Sequence, residues 1–149
     1  MSETRRKNSQ KRTAIYEALK ATCGHPSAEM LHGGLKEFYP DLSLGTVYRN
    51  LSEFCEEGKA FVVGNVDGKD RFDARMDEHA HFICRSCGKV IDVDLPVLPK
   101  EEQERIGETY RFLVESCAVS FRGLCSECRE KFVQNDTESK PCQQNTEEK

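Results

Sequence analysis

Residues 42–73 read LSLGTVYRNLSEFCEEGKAFVVGNVDGKDRFD. Ser43 can cap a helix with its hydroxyl, Leu44, Val47, Leu51 and Phe54 follow at helical spacing, and Gly58 stands just past the end, so this part is predicted to be helical. From Ala60 the period changes. Ala60 to Val63 and Arg71 to Asp73 read as two strands joined by the polar turn Gly64-Asn65-Val66-Asp67-Gly68. Toward the amino terminus two more helices are expected. One is capped by Ser9, carries Ala14, Ile15, Ala18 and Leu19, and is ended by Gly24 and Pro26. The other is capped by Ser27, runs through Leu31, Leu35 and Phe38, and is stopped by Pro40. Residues 1–8 read as a mobile basic arm. Three short helices followed by a hairpin suggest a winged helix, and any small α+β domain is the alternative that the pattern leaves open.

Toward the carboxyl terminus a His-containing linker after Asp73 precedes strands around His81 to Cys84 and Lys89 to Val93. Pro99 with Glu101 and Glu102 fits a helix start, because proline suits the first turn and acids suit the positive end of the helix dipole. One or two further strands are expected between Tyr110 and Phe121, and Gly123-Leu124-Cys125 turns into a final Cys pair. The fold class is therefore α+β. A domain of three helices and a hairpin over 1–73, a winged helix or another small α+β domain, is expected to be joined by a hinge at 74–78 to a small α/β domain over 79–133. Residues 134–149 carry almost nothing to bury and are expected to be a disordered tail.

With 149 residues the chain is too short for a large enzyme, and no apolar run approaches the roughly 18 to 20 residues that span a bilayer. No secretory signal is visible in the polar, basic start, so a cytoplasmic location is expected. In such a compartment eight cysteines read as metal ligands or redox groups before disulfides. The net charge of −4 is unevenly spread: residues 1–51 have eight Lys or Arg against five acids, whereas residues 72–149 have eleven against sixteen. The first third can face an anion while the rest carries the acid.

Cys84-Arg85-Ser86-Cys87 and Cys125-Ser126-Glu127-Cys128 are two C-x-x-C knuckles. Four thiolates satisfy tetrahedral zinc with no position left for substrate, which makes a structural site. A thioredoxin-like pair and an iron–sulfur cluster are the alternatives. Cys23, Cys55 and Cys117 lie in or beside apolar patterns and are expected to be buried, and Cys142 to be an exposed thiol in the tail. His79 and His81 alternate on an extended segment and share a face, with Asp92 on the next strand able to lie opposite them. Asp73 ends the hairpin just before, and His25 in the first interhelical loop can reach the hinge. Three imidazoles and two carboxylates suit iron(II), manganese(II) or zinc. The plainer alternative is that these histidines are surface and loop residues. His32 shows no partner pattern and reads as a solvated helix residue.

The chain resembles the ferric uptake regulator family of metal-dependent repressors over residues 7–133. The resemblance is carried by Gly24-His25-Pro26-Ser27-Ala28-Glu29, by residues 42–51, by Arg71-Phe72-Asp73, by His79-Ala80-His81-Phe82-Ile83-Cys84 with Cys87-Gly88-Lys89, and by Gly123-Leu124-Cys125 with Cys128. It implies an amino-terminal winged helix, a carboxy-terminal dimerisation domain holding structural Zn2+ on Cys84, Cys87, Cys125 and Cys128, and a regulatory Fe2+ or Mn2+ at the hinge. Within the family the likeness is to the peroxide-sensing repressors. Their three-His, two-Asp site is matched by His25, Asp73, His79, His81 and Asp92, where iron-sensing members typically place glutamates at the acid positions. The resemblance implies that His25 and His79 are the ligands oxidised by peroxide, to 2-oxo-histidine. A further family site looks missing, since Glu78 and Ala80 flank His79 and Ser116-Cys117 stand where a later histidine is expected. The chain departs from the usual Thr-Pro-Gln-Arg in having Ser9-Gln10-Lys11-Arg12, and its acidic tail is atypical.

With Leu44, Val47, Leu51 and Phe54 facing the core, Thr46, Arg49 and Asn50 are expected to point away from it, and the resemblance adds Tyr48 and Arg49 as contacts to bases. Arg5, Arg6, Lys7, Lys11 and Arg12 would neutralise phosphates. A homodimer on a palindromic double-stranded DNA operator is the expected assembly. The expectation is a peroxide-responsive repressor and not an enzyme. A repressor reporting iron or manganese supply is the second reading, and a small metallohydrolase, for which no general base is apparent, a distant third.

Overall fold

In the computed structural model, which describes residues 3–95 and 97–138, the amino-terminal helices are α1 (Glu3–Ala21), α2 (Ala28–Leu35) and α3 (Leu44–Glu56). Ser27 and Ser43 have extended backbones and cap α2 and α3 as expected: the N–H of Met30 donates to Ser27 Oγ at 3.3 Å, and that of Thr46 to Ser43 Oγ at 3.2 Å. At the other end of α3, Gly58 takes a φ of +67°. The N–H of Lys59 donates to the Phe54 carbonyl at 2.8 Å and that of Gly58 to Cys55 at 3.1 Å, which closes the last turn. Ile15, Leu19, Ala28, Leu31, Val47, Leu51 and Phe54 from these helices meet Leu42, Ala60 and Phe72 in the main core.

Two helix boundaries differ from expectation. α1 begins at Glu3, so Ser9 lies inside it, and its carbonyl accepts the Thr13 hydroxyl at 3.0 Å. Nothing between Glu3 and Thr13 breaks a helix, so a capping serine there has no end to cap. α2 stops at Leu35, after Gly33-Gly34 has weakened it. Phe38 is 75% exposed beyond its end, and Tyr39 packs on the core instead.

The hairpin is β1 (Phe61–Val66) against β2 (Lys69–Asp73), antiparallel, with an irregularity between Val62 and Gly64. Its turn is shorter than expected, just Asp67-Gly68 with φ of 52° and 78°, and Gly64, Asn65 and Val66 belong to the strand. Two consecutive positive φ values are what a tight hairpin turn requires, and Asp-Gly supplies them.

The second domain contains β3 (Ala80–Cys84), β4 (Val90–Val93), α4 (Lys100–Tyr110), β5 (Ser120–Gly123) and α5 (Ser126–Glu138). β3 lies between β4, antiparallel, and β5, parallel. Pro99 stands at the cap position of α4, just before its first turn. Residues 110–121 yield only the start of β5: Tyr110 closes α4, Arg111 reverses the chain at φ 58°, and the N–H of Phe112 returns to the Gly107 carbonyl at 3.0 Å. α5 runs through Glu138, past the expected domain end at 133, while Cys142 and the rest of the expected tail lie outside the described residues.

The hairpin leans on the second domain. A Cβ on Gly64 would meet Ile83 Cδ1 at 2.8 Å, one on Gly88 would meet Val66 Cγ1 at 2.8 Å, and Arg71 Nη2 donates to the Gly88 carbonyl at 2.9 Å. This contact brings the end of β2 beside the start of β3.

Two candidate metal centres

At that junction five side chains converge. His25 sits in the α1–α2 loop at φ 47°, held to the hairpin by the Phe72 N–H, which donates to the Pro26 carbonyl at 3.1 Å. Asp73 ends β2, His79 immediately precedes β3, and His81 on β3 lies opposite Asp92 on β4 in the antiparallel register. One donor atom from each falls within 4.8 Å of all the others. Asp73 Oδ2 is 3.2, 3.0 and 3.2 Å from Nε2 of His25, His79 and His81. Asp92 Oδ1 is 2.7, 3.3 and 3.7 Å from the same three nitrogens.

The three histidines and Asp73 are buried. Despite its neighbours, Asp92 Oδ1 is buried without a properly directed hydrogen bond. A carboxylate oxygen in that state, facing three imidazole nitrogens, fits a bound cation that would satisfy all of them at once. Burial disfavours the His25 imidazolium, but Asp73 and then Asp92 outweigh it and raise its pKa above the usual 6.5. Burial likewise opposes the Asp73 carboxylate, yet hydrogen bonds from His25 and the Arg75 N–H hold its pKa well below the carboxylate range. Burial lowers the pKa of His81, and the neighbouring imidazoles add to the effect.

An outer layer orients these groups. His79 Nδ1 is 2.7 Å from the Asp77 carbonyl, which fixes the tautomer that leaves Nε2 free as a ligand. The Arg75 N–H donates to Asp73 Oδ1 at 2.7 Å. Phe61 lies edge-on to the rings of His79 and His81, at centroid distances of 6.4 and 5.9 Å. Arg75, Asp77 and Phe61 were not singled out by sequence reasoning, and no residue pattern marks them.

The second centre lies at the other end of β3. Parallel pairing sets Cys84 opposite Gly123, so the knuckle after β3 meets the one at the start of α5. Cys84, Cys87, Cys125 and Cys128 bring their sulfurs within 4.8 Å of one another, with Cys87 and Cys125 3.7 Å apart. The Cys125 N–H donates to Cys84 Sγ at 3.3 Å, and this bond with that of Cys87 lowers the Cys84 thiol to about 6, toward the thiolate a metal requires. The second knuckle does sit between a strand and a helix, as a thioredoxin-like pair would. The convergence of all four sulfurs fits a closed tetrahedral zinc site instead.

The profile of the ferric uptake regulator family matches residues 3–122. The chain belongs to the ferric uptake regulator family. It is 34% identical over 131 residues to the peroxide operon regulator of Bacillus subtilis, covering 88% of this chain and 90% of that one. It is 33% identical over 121 residues to the peroxide-responsive repressor PerR of Staphylococcus aureus, covering 80% of each. Its fold matches the peroxide stress regulator of Campylobacter jejuni with a TM-score of 0.68 at 28% identity, over 86% of this chain and all of that one. The two-domain α+β fold is thus that of ferric uptake regulators, which are transcriptional regulators.

Of the residues expected to meet DNA in this family member, Arg49 is exposed on α3 and Tyr48 is 41% exposed, its hydroxyl donating to Glu29 Oε1 at 2.9 Å. Thr46 is half-buried, its hydroxyl 2.8 Å from that of Ser43. Asn50 does not point away from the core. It is 6% exposed and its Nδ2 donates to the Thr46 carbonyl at 2.7 Å, because position 50 follows Val47 by three residues and adjoins Leu51 on the apolar face. Arg12 bridges α1 to α3: it pairs with Glu53 and, at 2.6 Å, with Glu57, and its guanidinium stands 4.5 Å from the Phe54 ring centre. Lys11 pairs with Asp41 at 2.7 Å. The side chains of Arg5, Arg6 and Lys7 lie outside the described residues. Two smaller expectations also change: Cys23 is exposed, with Cys55 and Cys117 only half-buried, and His32 has a partner, its Nε2 lying 2.9 Å from the Leu42 carbonyl. No helix among the described residues is long and apolar enough to cross a membrane.

Proposed function

We propose that this chain is a metal-dependent, DNA-binding repressor that senses hydrogen peroxide through oxidation of its own histidine ligands, acting on DNA in the cytoplasm as a homodimer. The observation that carries the reading is the hinge centre, whose donors come from both domains: His25 and Asp73 from the winged helix, His79, His81 and Asp92 from the second domain. A cation shared in this way favours one arrangement of the domains over others. Its all-aspartate acid positions and the peroxide regulators among its relatives support the finer assignment.

His25, Asp73, His79, His81 and Asp92 would hold the regulatory metal, and Cys84, Cys87, Cys125 and Cys128 the structural zinc. Iron(II) bound at the hinge would supply the reducing power for cleavage of the peroxide O–O bond, and manganese(II) would fit the same donors without supplying it. In net terms the C2–H of His25 or His79 becomes C2=O, one peroxide oxygen being retained and the other leaving as water. The altered ring is a poorer donor, the tie between domains is lost, and the winged helices leave their operator.

On α3, Tyr48, Arg49 and Thr46 are offered to the major groove. Exposed Tyr110, Phe112, Phe121 and Leu113, the last 83% exposed, leave the second domain with apolar surface that a second copy would cover. A two-fold dimer requires a palindromic operator. The test is enrichment of duplexes from a random DNA library on manganese-loaded protein. A palindromic sequence bound only with metal, and released by peroxide from iron-loaded but not manganese-loaded protein, is expected. Release unaffected by peroxide in both forms would leave a repressor reporting metal supply.

A further inference from the structure

Arg75 lies two residues after Asp73, in the hinge, and reaches several of the polar groups around the hinge centre. Its backbone N–H donates to Asp73 Oδ1 at 2.7 Å. Its Nε donates to Asp77 Oδ2 at 2.9 Å, Nη2 to Asp94 Oδ1 at 3.1 Å, and Nη1 to Asp92 Oδ2 at 3.4 Å. Asp77 in turn presents its carbonyl to His79 Nδ1. The side chain thus ties the hinge to β4, touching Asp92 itself and Asp77, the partner of His79, while the backbone N–H of the same residue holds Asp73.

The consequence falls on Asp92, whose two oxygens face different groups. Oδ1 looks toward the three imidazole nitrogens, and Oδ2 lies on the guanidinium. A carboxylate can meet a metal through one oxygen or through two, and the difference is one coordination position. Asp92 is the half-buried member of the set, with room to turn, whereas Asp73 is buried and has its outer oxygen on a backbone N–H. Asp77 and Asp94 already engage two edges of the guanidinium, which fixes where its remaining nitrogen can be offered.

We infer that Arg75 is a positioning residue that holds Asp92 as a one-oxygen donor to the hinge metal and so keeps a coordination position open to peroxide. This rests on the reading of the hinge centre as the regulatory metal site. Without the guanidinium, Asp92 Oδ2 has no donor among the described residues and turns to the cation as a second ligand atom.

The test uses full-length wild type and R75Q, with R75M as a second variant of similar length, loaded with zinc and then anaerobically with iron(II). X-ray absorption at the iron edge counts donor atoms before any peroxide is added, and zinc content with the unfolding midpoint confirms the fold. One additional oxygen donor is expected in R75Q and R75M relative to wild type, together with oxygen addition at His25 or His79 slowed about 10-fold or more, the scale at which outer-layer partners act. An unchanged donor count in folded, iron-loaded variants would overturn the role of Arg75 while leaving the regulatory site standing. Iron bound in wild type without nitrogen donors would instead overturn the site and the inference with it.

Discussion

Nε2 of His25 lies 2.7 Å from Oδ1 of Asp92, and that contact joins the first interhelical loop to the fourth strand, across the boundary between the two domains. Asp73, His79 and His81 complete the convergence around it. The account of function turns on this crossing, because a ligand set drawn from one domain alone could bind a metal without moving anything.

Removing His25 should uncouple the domains without unfolding either. Asn is the substitution of choice, since it tolerates the left-handed backbone that His25 adopts at φ 47°. Manganese titration followed by electron paramagnetic resonance should show affinity for H25N reduced by more than about 100-fold, beyond the range typical of outer-layer partners. Zinc content should stay at the wild-type level. Wild-type manganese affinity in H25N would remove His25 from the site.

Zinc should hold the second domain together. Among its described residues the buried apolar side chains are few, chiefly Ala80, Ile83, Val90 and Val97, and Cys84 and Cys125 are buried as well. A domain with so small a core depends on its metal. Cys84→Ser, or zinc extraction from the wild type, should expose residues 79–133 to limited proteolysis while the winged helix stays protected. Equal protection of both halves would show that the zinc is dispensable.

Proton and metal compete at the hinge, and the sign follows from the His25 shift. Its folded pKa lies above 6.5, so in metal-free protein the stability from its imidazolium is complete below 6.5 and is lost as pH rises through the folded value. Asp73 behaves oppositely: its folded pKa lies below the usual 3.8, so its contribution persists above that value and is lost only as pH falls through the folded value. His81, whose folded pKa lies below 6.5, opposes this on the acid side, so the unfolding midpoint of metal-free protein should fall between about pH 7 and 8, while manganese binds more tightly as the proton leaves His25. Calorimetric titration in buffers of different ionisation enthalpy should detect the released proton, and a pH-independent affinity would contradict the competition.

Arg12 and Arg49 should separate in their effects. Arg12 clamps α1 to α3 through Glu53, Glu57 and the Phe54 ring, so R12A should lower stability by about 1–2 kcal/mol. The salt dependence of DNA binding should change little. R49A should change stability by no more than about 0.5 kcal/mol and reduce the salt slope by about 1. Denaturant melts and binding at several ionic strengths measure both, and a reversed pattern would place Arg12 on the DNA.

Both clusters of candidate ligands were legible because most of their members are local pairs. Each C-x-x-C repeats within one turn, His79 and His81 share a strand face, and Asp92 sits one antiparallel pairing away. The starts of α2 and α3 were legible from Ser27, Ser43 and the apolar spacing of α3, whereas that of α1 was not. What spacing did not reveal depends on contacts distant along the chain. The inward position of Asn50 follows from its place on α3, but its partner Arg12, 3.4 Å from its Oδ1, comes from α1. The parallel β3–β5 pairing joins segments separated by all of α4, and the Arg75 network forms only once hinge and β4 are adjacent. The expected turn over 64–68 was too long because Gly64 read as a turn residue, whereas its missing side chain makes room for Ile83.

The most direct test of the central claim is peptide mass spectrometry after an equimolar hydrogen peroxide addition to anaerobically iron(II)-loaded protein, with manganese-loaded protein as control. The account predicts one added oxygen on His25 or His79 in the iron form and none in the manganese form. Unmodified histidines in protein that demonstrably holds iron at the hinge would contradict peroxide sensing.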